Sequence, residues 1–116
     1  MSRRRVVVTG IGVASPLGCD VESFLRRLVQ GESGVVALDD AEFASFPTPI
    51  GARVQGYDPA AYFDVKEARR TSRTSQLAVV AATQAVGQAR LLDGGVDRQE
   101  VAVLIGSSIG GFSACD

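Results

Sequence analysis

The feature that most constrains this fold is a run of five apolar residues, Val101–Ile105, followed at once by the glycine-rich segment Gly106–Gly111. Such a run is typical of a strand buried on both faces of a parallel sheet. A glycine-rich loop at the carboxyl end of such a strand is where open α/β sheets present their binding sites. A covering helix is expected next, but the sequence stops five residues after the loop. We therefore expect the opening part of a larger α/β protein.

Composition excludes several classes of function. The 116 residues carry 12 Lys and Arg against 13 Asp and Glu, so no net charge favours nucleic acid or a membrane surface. Hydrophobic residues make up 46% of the chain, which disfavours disorder, and no apolar run approaches the ~20 residues of a membrane span. Cys19 and Cys115 are far apart and have no metal-ligand spacing, which indicates a reducing, cytoplasmic setting. The chain contains no histidine, the usual general base near neutral pH, which argues against a self-sufficient acyl-transfer site.

The first half of the chain predicts one strand and one helix. Arg5–Val8 is β-branched and is expected to be a strand buried on both faces. Asp20 is a good N-cap for a helix that ends before Gly31. Five residues repeat at helical spacing and form one apolar face, while Arg26 and Arg27 are expected to point outward. The apolar residues are Val21, Phe24, Leu25, Leu28 and Val29.

The middle of the chain is less regular. Pro47 and Pro49 predict an irregular segment, with an edge strand around residues 50–54. Asp58-Pro59 predicts a short capped helix, and Asp64-Val65-Lys66-Glu67 fits a capping box that starts another helical segment. The clearest predicted helix covers Thr74–Leu92 and ends at Asp93-Gly94-Gly95. It is alanine-rich nearly all round, so we expect closely packed neighbours. Gly87 costs about 1 kcal/mol against alanine, which is tolerable if another backbone approaches there.

A second glycine segment, Gly10-Ile11-Gly12-Val13-Ala14-Ser15, nearly matches the dinucleotide fingerprint G-x-G-x-x-G after a strand. That motif needs a third glycine and a helix N-terminus at the pyrophosphate. Here Ser15 takes the third position, Pro16 follows, and the helix starts only after Asp20. A structural turn is the favoured interpretation, and a small dinucleotide-binding domain is a remote alternative.

Four motifs together point to a family. They are Val6-Val7-Val8-Thr9-Gly10-x-Gly12 with Ser15-Pro16-Leu17-Gly18, Gly31-x-Ser33-Gly34, Lys66-Glu67-x-Arg69-Arg70 with Gln76 and Ala78, and Gly106-Ser107-Ser108-Ile109-Gly110-Gly111. In this order and approximate spacing they resemble the β-ketoacyl-acyl-carrier-protein synthases, the elongating condensing enzymes of fatty-acid and polyketide synthesis. The resemblance covers essentially the whole chain.

The resemblance implies an α/β, thiolase-like fold of two similar halves in stacked layers. Residues 1–116 would form the N-terminal part of the first half, in an enzyme that is usually a homodimer. A cysteine would carry the acyl chain as a thioester, and two histidines would promote decarboxylation of malonyl-acyl carrier protein and carbon–carbon bond formation. No metal or cofactor is implied. In the family all three catalytic residues follow the terminal glycine segment, so none is expected here and the chain alone is expected to be inactive.

The sequence departs from the family pattern at a few positions. Thr71, Ser72 and Thr74 stand where Met-Asp and a phenylalanine are usual. Ser108 replaces a glycine, and serine tolerates positive φ poorly. Cys115 does not match the family's nucleophile context, and the carboxylate of Asp116 beside it would discourage a thiolate. We expect no catalytic role for Cys115.

The one notable basic cluster is Lys66, Arg69, Arg70 and Arg73. It could be a solvated helix face. However, cations in the first turns of a helix oppose the macrodipole, which favours a compensating anion. By resemblance, Lys66, Arg69 and Arg70 meet the acidic helix of the acyl carrier protein and steer it by charge.

Ile109 is the other candidate site residue. By resemblance it projects into the acyl-chain pocket near the dimer partner, where side-chain size helps to set chain length. Simple packing within the loop is the alternative.

Three functional hypotheses follow. The first is the N-terminal portion of a catalytic synthase. The second is a non-catalytic relative that pairs with another synthase as a chain-length partner subunit. The third is the small dinucleotide-binding domain.

Overall fold

The computed structural model describes residues 4–111, which contain three α-helices and one two-stranded sheet. The elements are α1 (Val21–Val29), β1 (Val36–Ala37), β2 (Ile50–Gly51), α2 (Val65–Arg70) and α3 (Arg73–Gln88). The chain forms two compact units, Val13–Asp58 and the remaining described residues. Helices and strands are both present, but the layered parallel sheet expected from the sequence is not formed within residues 4–111.

Helix α1 begins and ends where the sequence predicts. The carboxylate of Asp20 accepts a hydrogen bond from the Ser23 backbone N–H at 2.8 Å, which caps the N-terminus. At the other end Gly31 adopts φ +71° while its N–H donates to the Leu28 carbonyl. The N–H of the next residue, Glu32, donates to the Arg27 carbonyl, so the helix ends in a Schellman motif.

The side chains of α1 do not follow the expected division. Leu25 and Leu28 are each half exposed, and Val29 is 86% exposed, so the apolar face has little cover in the described chain. Arg27 does not simply point into solvent. Its guanidinium donates to the Leu17 carbonyl at 3.0 Å and pairs with Glu32 at 2.6 Å.

The irregular segment contains a minimal sheet. Val36 pairs with Gly51 and Ala37 with Ile50 in an antiparallel ladder, so the edge strand predicted over residues 50–54 is shortened to two residues. Just after β2, the Arg53 guanidinium pairs with Asp40 at 2.6 Å and lies 5.0 Å from the centre of the Phe43 ring, both in the segment that connects the strands.

Residues 59–70 form two short elements. The predicted capped helix at Asp58-Pro59 is a single 3-10 turn, Pro59–Ala61. The predicted capping box is present: the Asp64 carboxylate accepts from the Glu67 N–H at 2.8 Å, and the Glu67 carboxylate accepts from the Asp64 N–H at 3.3 Å. This box starts α2, which ends after six residues because Thr71 is extended.

Helix α3 contains the only two buried residues of the described chain, Gln76 and Val80. It ends at Gln88, four residues before the predicted end. The N–H groups of Arg90 and Leu91 close a Schellman motif there, with Arg90 at φ +51°. Nothing lies within 4 Å of the position a Gly87 Cβ would occupy, so within the described residues no other backbone approaches Gly87 to offset its cost in the helix. Within residues 4–111 no helix combines the length and apolarity that crossing a membrane requires.

The two predicted central strands are wrong for this structure. Val6, Val7 and Val8 are 90%, 72% and 79% exposed and belong to no ladder, and Val101–Ile105 is likewise unpaired, with Leu104 96% exposed. A strand must exchange its backbone hydrogen bonds with a neighbouring strand. Residues 4–111 supply no such neighbour to either segment, so neither forms a strand.

Candidate functional site

The cationic residues singled out in the sequence lie together on α2. Arg69 and Arg70 follow Lys66 by three and four positions, a spacing that places the three side chains on one side of a helix. All three are exposed. We call Lys66, Arg69 and Arg70 the basic face of α2. Arg73, the fourth member of the sequence cluster, belongs to the next helix, where it is the first residue.

The basic face carries positive charge that the described chain does not neutralise. The ion pairs among residues 4–111 join other residues, Arg27 with Glu32 and Arg53 with Asp40 and Glu42. Glu67, the acidic residue within α2, turns back to the Asp64 N–H.

The cations of α2 do not oppose the helix dipole in the way that the sequence predicts. Because α2 stops at Arg70, Arg69 and Arg70 lie in its last turn, where the helix dipole favours a cation. Only Lys66 lies in the first turn. Any attraction of this face for an anion therefore comes from its exposed, unpaired charge and not from dipole strain.

The C-terminal end of α2 is held by a side chain from α3. The Gln76 amide Nε2 donates to the Ala68 carbonyl at 2.8 Å and to the Thr71 carbonyl at 3.0 Å. The Thr71 hydroxyl donates to the Glu67 carbonyl at 2.8 Å. In the sequence Gln76 stands out only as part of the family motif. It follows a polar run, residues 71–75, and only its burial in the structure distinguishes it from Gln84 and Gln88 of the same helix.

The glycine loop, residues 106–111, approaches the N-terminus of α3. Ser72 caps that helix by accepting from the Ser75 N–H at 3.2 Å, and a Cβ on Gly111 would lie 3.4 Å from the Ser72 Oγ. A Cβ on Gly110 would come within 2.6 Å of Thr74 Cγ2. The loop and the basic face of α2 therefore adjoin the same short junction between α2 and α3.

Ser108 fits this loop without strain. Arg90 is the one non-glycine residue of the described chain with positive φ, so Ser108 does not adopt the left-handed conformation that would disfavour serine. Gly111 does adopt it, at φ +87°. The Ser107 hydroxyl accepts from the Gly110 N–H at 3.0 Å and closes the turn.

Ile109 lies at the surface in this structure and is 74% exposed. A groove of about 200 Å³ runs beside it, between the loop and α3, but Ile109 does not line that groove. The lining residues are Thr74, Ser75, Ala78, Val79, Ile105, Ser107 and Gly110. The predicted role of Ile109 in an acyl pocket stays a prediction.

The Gly10–Gly12 segment packs against the backbone of α3. A Cβ on Gly10 would lie 2.9 Å from the Ala89 N, and one on Gly12 would lie 2.7 Å from the Ala81 carbonyl carbon. The Ile11 N–H donates to the Gln88 side-chain oxygen at 2.6 Å. These glycines are occupied by helix packing, and α1 starts well beyond them at Val21, so the geometry opposes the dinucleotide-binding alternative.

The remaining candidates carry no visible chemistry. The Cys19 thiol is half-buried and donates to the Gln55 carbonyl at 3.5 Å. Cys115 lies outside the described residues. Among residues 4–111, no three side chains of the metal-binding types come together.

Comparison with known proteins assigns the family. The sequence model described as "Beta-ketoacyl synthase, N-terminal domain" matches residues 3–116. Similar proteins include the 3-oxoacyl-[acyl-carrier-protein] synthase 2 of Coxiella burnetii, 42% identical over 112 residues that cover 97% of this chain and 27% of that protein. The chloroplastic 3-oxoacyl-[acyl-carrier-protein] synthase I of Arabidopsis thaliana is 34% identical over 116 residues, covering 96% of this chain and 24% of that protein.

A third relative, the 3-oxoacyl-[acyl-carrier-protein] synthase 2 of Synechocystis sp., is 31% identical over 116 residues and is covered to 28% of its length. The chain therefore spans about a quarter of the length of these relatives. Its glycine segments and basic motif all lie within the matched residues. The chain belongs to the beta-ketoacyl synthase family and corresponds to the N-terminal portion of those enzymes.

Proposed function

We propose that the chain acts as the N-terminal portion of a 3-oxoacyl-acyl-carrier-protein synthase of thiolase-like fold. Such a synthase transfers an acyl group from a thioester onto malonyl-acyl carrier protein, releasing carbon dioxide and the free thiol and forming a 3-oxoacyl thioester. The names of the three relatives support this reaction class and its place in fatty-acid synthesis. We further propose that the complete synthase is a cytoplasmic homodimer and that its products serve fatty-acid or polyketide synthesis.

The observation that carries the proposal is the basic face of α2. Three cations share one exposed side of a short helix, and none forms an ion pair within the described chain. Such a face attracts an acidic partner, raises the association rate and responds strongly to salt. The names of the relatives specify a carrier-protein substrate, and the resemblance assigns its acidic helix to these positions. We therefore assign the basic face to docking of the acyl carrier protein.

Charge reversal tests this assignment. In K66E/R69E/R70E, the affinity of the chain for a fluorescently labelled bacterial acyl carrier protein should fall by about tenfold or more at low salt. The loss should shrink as salt is raised, because screening weakens the wild-type attraction. Fluorescence anisotropy titrations at two salt concentrations measure both effects.

The matched control is R5E/R26E/R98E, which changes net charge by the same amount at exposed arginines outside α2. Its affinity should stay within about twofold of the wild type if local charge, not net charge, sets binding. Equal losses in the two triple variants, or an unchanged affinity in K66E/R69E/R70E, would place the dock elsewhere.

We also propose that Ile109 lines the acyl pocket of the complete synthase. Substituting the larger phenylalanine, Ile109→Phe, should shorten the preferred acyl chain there. Ile50→Phe is the control, since it adds the same bulk to an exposed residue of β2. Competition between acyl thioesters of different length measures the preference. An unchanged profile for Ile109→Phe would remove this residue from the pocket.

The chain itself is proposed to be catalytically silent. It contains no histidine, and by resemblance the catalytic cysteine and two histidines are not among its residues. Incubation of the purified chain with acyl- and malonyl-loaded carrier protein should yield no 3-oxoacyl product by mass spectrometry. Product formation above a protein-free blank would overturn this part of the proposal.

A further inference from the structure

Helix α2 is too short to hold its own position. It has six residues, and an isolated helix of that length is unstable in water. The last carbonyl groups of a helix have no partner within the helix and need one from elsewhere. The direction in which the basic face points therefore depends on what binds the C-terminal end of α2.

Gln76 supplies that contact from α3. Its side-chain amide reaches two carbonyls at once, those of Ala68 and Thr71, at 2.8 and 3.0 Å. Gln76 is only 7% exposed, so these bonds are shielded from competing water. Breaking them would leave buried polar groups without their partners, which is more unfavourable than losing an exposed hydrogen bond.

The two Gln76 hydrogen bonds join helices that differ in stability. Helix α3 runs from Arg73 to Gln88, is capped at both ends and contains the buried Val80. Helix α2 has no buried residue. Gln76, the fourth residue of α3, therefore fixes the weaker helix to the stronger one.

We infer that Gln76 is a positioning residue for the basic face: its amide holds α2 on α3, and so sets where Lys66, Arg69 and Arg70 meet the partner. This inference rests on the proposed docking function. It assigns to Gln76 no contact with the carrier protein itself.

A double-mutant cycle tests the inference. Gln76→Met keeps the length and loses the donor, so affinity for the labelled acyl carrier protein should fall about threefold to tenfold. In the R69Q/R70Q background, where the charges to be positioned are mostly gone, the same change should have little further effect. Gln99→Met is the control. Gln99 is exposed in a 3-10 turn, so this variant should bind the labelled acyl carrier protein with the wild-type affinity.

A second variant covers the case in which Gln76→Met unfolds the chain. Thr71→Val removes the hydroxyl that donates to the Glu67 carbonyl and leaves Gln76 in place. Affinity should fall by about twofold, again only while the arginines are present. Hydrogen exchange should show faster opening at the Ala68 amide, which bonds to the Asp64 carbonyl, with α3 unchanged.

The measured affinities distinguish the docking function of the basic face from the positioning role of Gln76. If R69Q/R70Q binds as tightly as the wild type, the docking function is wrong. If R69Q/R70Q binds weakly but Gln76→Met and Thr71→Val bind normally, only the positioning role is overturned. Fully additive losses from Gln76→Met and R69Q/R70Q would also overturn it, since Gln76 would then act independently of the basic face.

Discussion

Three apolar segments of the chain differ in outcome. Helix α3 forms the structure predicted for it, whereas the predicted strands at Val6–Val8 and Val101–Ile105 do not form. Helix α3 is capped by Ser72 at its start and by the Arg90 and Leu91 N–H groups at its end. Val6–Val8 and Val101–Ile105 are largely exposed and belong to no ladder within residues 4–111.

The contrast reflects where each element finds its hydrogen bonds. A helix pairs each N–H with a carbonyl four residues earlier, so its backbone partners come from the local sequence. A strand needs a second strand that is often distant in sequence. The comparison teaches that apolar character alone does not decide whether a segment of this chain forms its predicted element; the availability of a backbone partner does.

The largest expected effect tests how the first segment is anchored to α3. In Gly12→Ala the added methyl group would overlap the Ala81 carbonyl group, whose carbon lies 2.7 Å from the new Cβ. Backbone cannot move aside as a side chain can, so the free energy of unfolding should fall by about 2–3 kcal/mol. Urea titration followed by circular dichroism measures this change.

The matched control is Gly87→Ala within α3. Nothing in the described chain lies within 4 Å of its new Cβ. Alanine is a better helix former than glycine, so stability should rise by about 0.5–1 kcal/mol. If Gly12→Ala were as well tolerated as Gly87→Ala, the first segment would not be anchored on α3 and the comparison would lose its basis.

A smaller effect is expected where α3 ends. Arg90 takes the left-handed conformation that Gly31 takes at the end of α1, at φ +51° against +71°. A side chain with a Cβ is disfavoured there, so Arg90→Gly should raise the free energy of unfolding by about 1 kcal/mol. Gly31→Ala should lower it by a similar amount. The same urea titration applies, and a destabilised Arg90→Gly would show that the arginine side chain stabilises this end.

The Asp20 cap of α1 should make stability depend on pH. The Ser23 backbone N–H donates to the Asp20 carboxylate and lowers its pKa below the ordinary 3.8. Because folding lowers this pKa, the ionised Asp20 carboxylate stabilises the fold fully at pH values above its pKa in the unfolded chain. That stabilisation is lost as the pH falls through its pKa in the folded chain. Asp20→Asn keeps an oxygen acceptor but does not titrate. The difference in melting temperature between wild type and Asp20→Asn should therefore change below about pH 4, to the disadvantage of the wild type; a constant difference would contradict the lowered pKa.

The smallest changes in the free energy of unfolding are expected for substitutions in Val6–Val8 and Val101–Ile105. Val7→Thr and Leu104→Thr should each change the free energy of unfolding by less than about 0.5 kcal/mol, since both residues are mostly exposed. Val80→Thr, at a fully buried site, should destabilise by about 1–2 kcal/mol because its hydroxyl enters an apolar core. A loss at Leu104 as large as that at Val80 would mean that the segment is buried in solution, and the contrast with α3 would disappear.

What could be predicted from the sequence follows the same division. The Asp20 cap, the Gly31 end of α1 and the Asp64–Glu67 box are confirmed, because each is made by residues close together in the chain. The end of α3 was misplaced by four residues, because the left-handed conformation of Arg90 is not expected of arginine. In the sequence the nearest glycines are Gly94 and Gly95, which predict a later end of the helix.

The candidate site was predicted only in part. The exposure of Lys66, Arg69 and Arg70 on α2 agrees with the sequence pattern. The contact of Gln76 with the Ala68 and Thr71 carbonyls could not be derived from helical periodicity. It depends on the angle between two consecutive helices, which no local pattern fixes.

The packing of Gly10 and Gly12 on α3 has a consequence for variation in this protein. Gly10 meets the Ala85 carbonyl and Gly12 the Ala81 carbonyl, about 6 Å apart along the helix, so this segment runs antiparallel to α3. Small residues on both sides are needed at once, since bulk added to either would separate them. Larger side chains at Gly10 or Gly12 are therefore expected to be rejected whatever residue stands opposite them, because the atoms they would meet belong to the backbone of a helix some seventy residues further along the polypeptide.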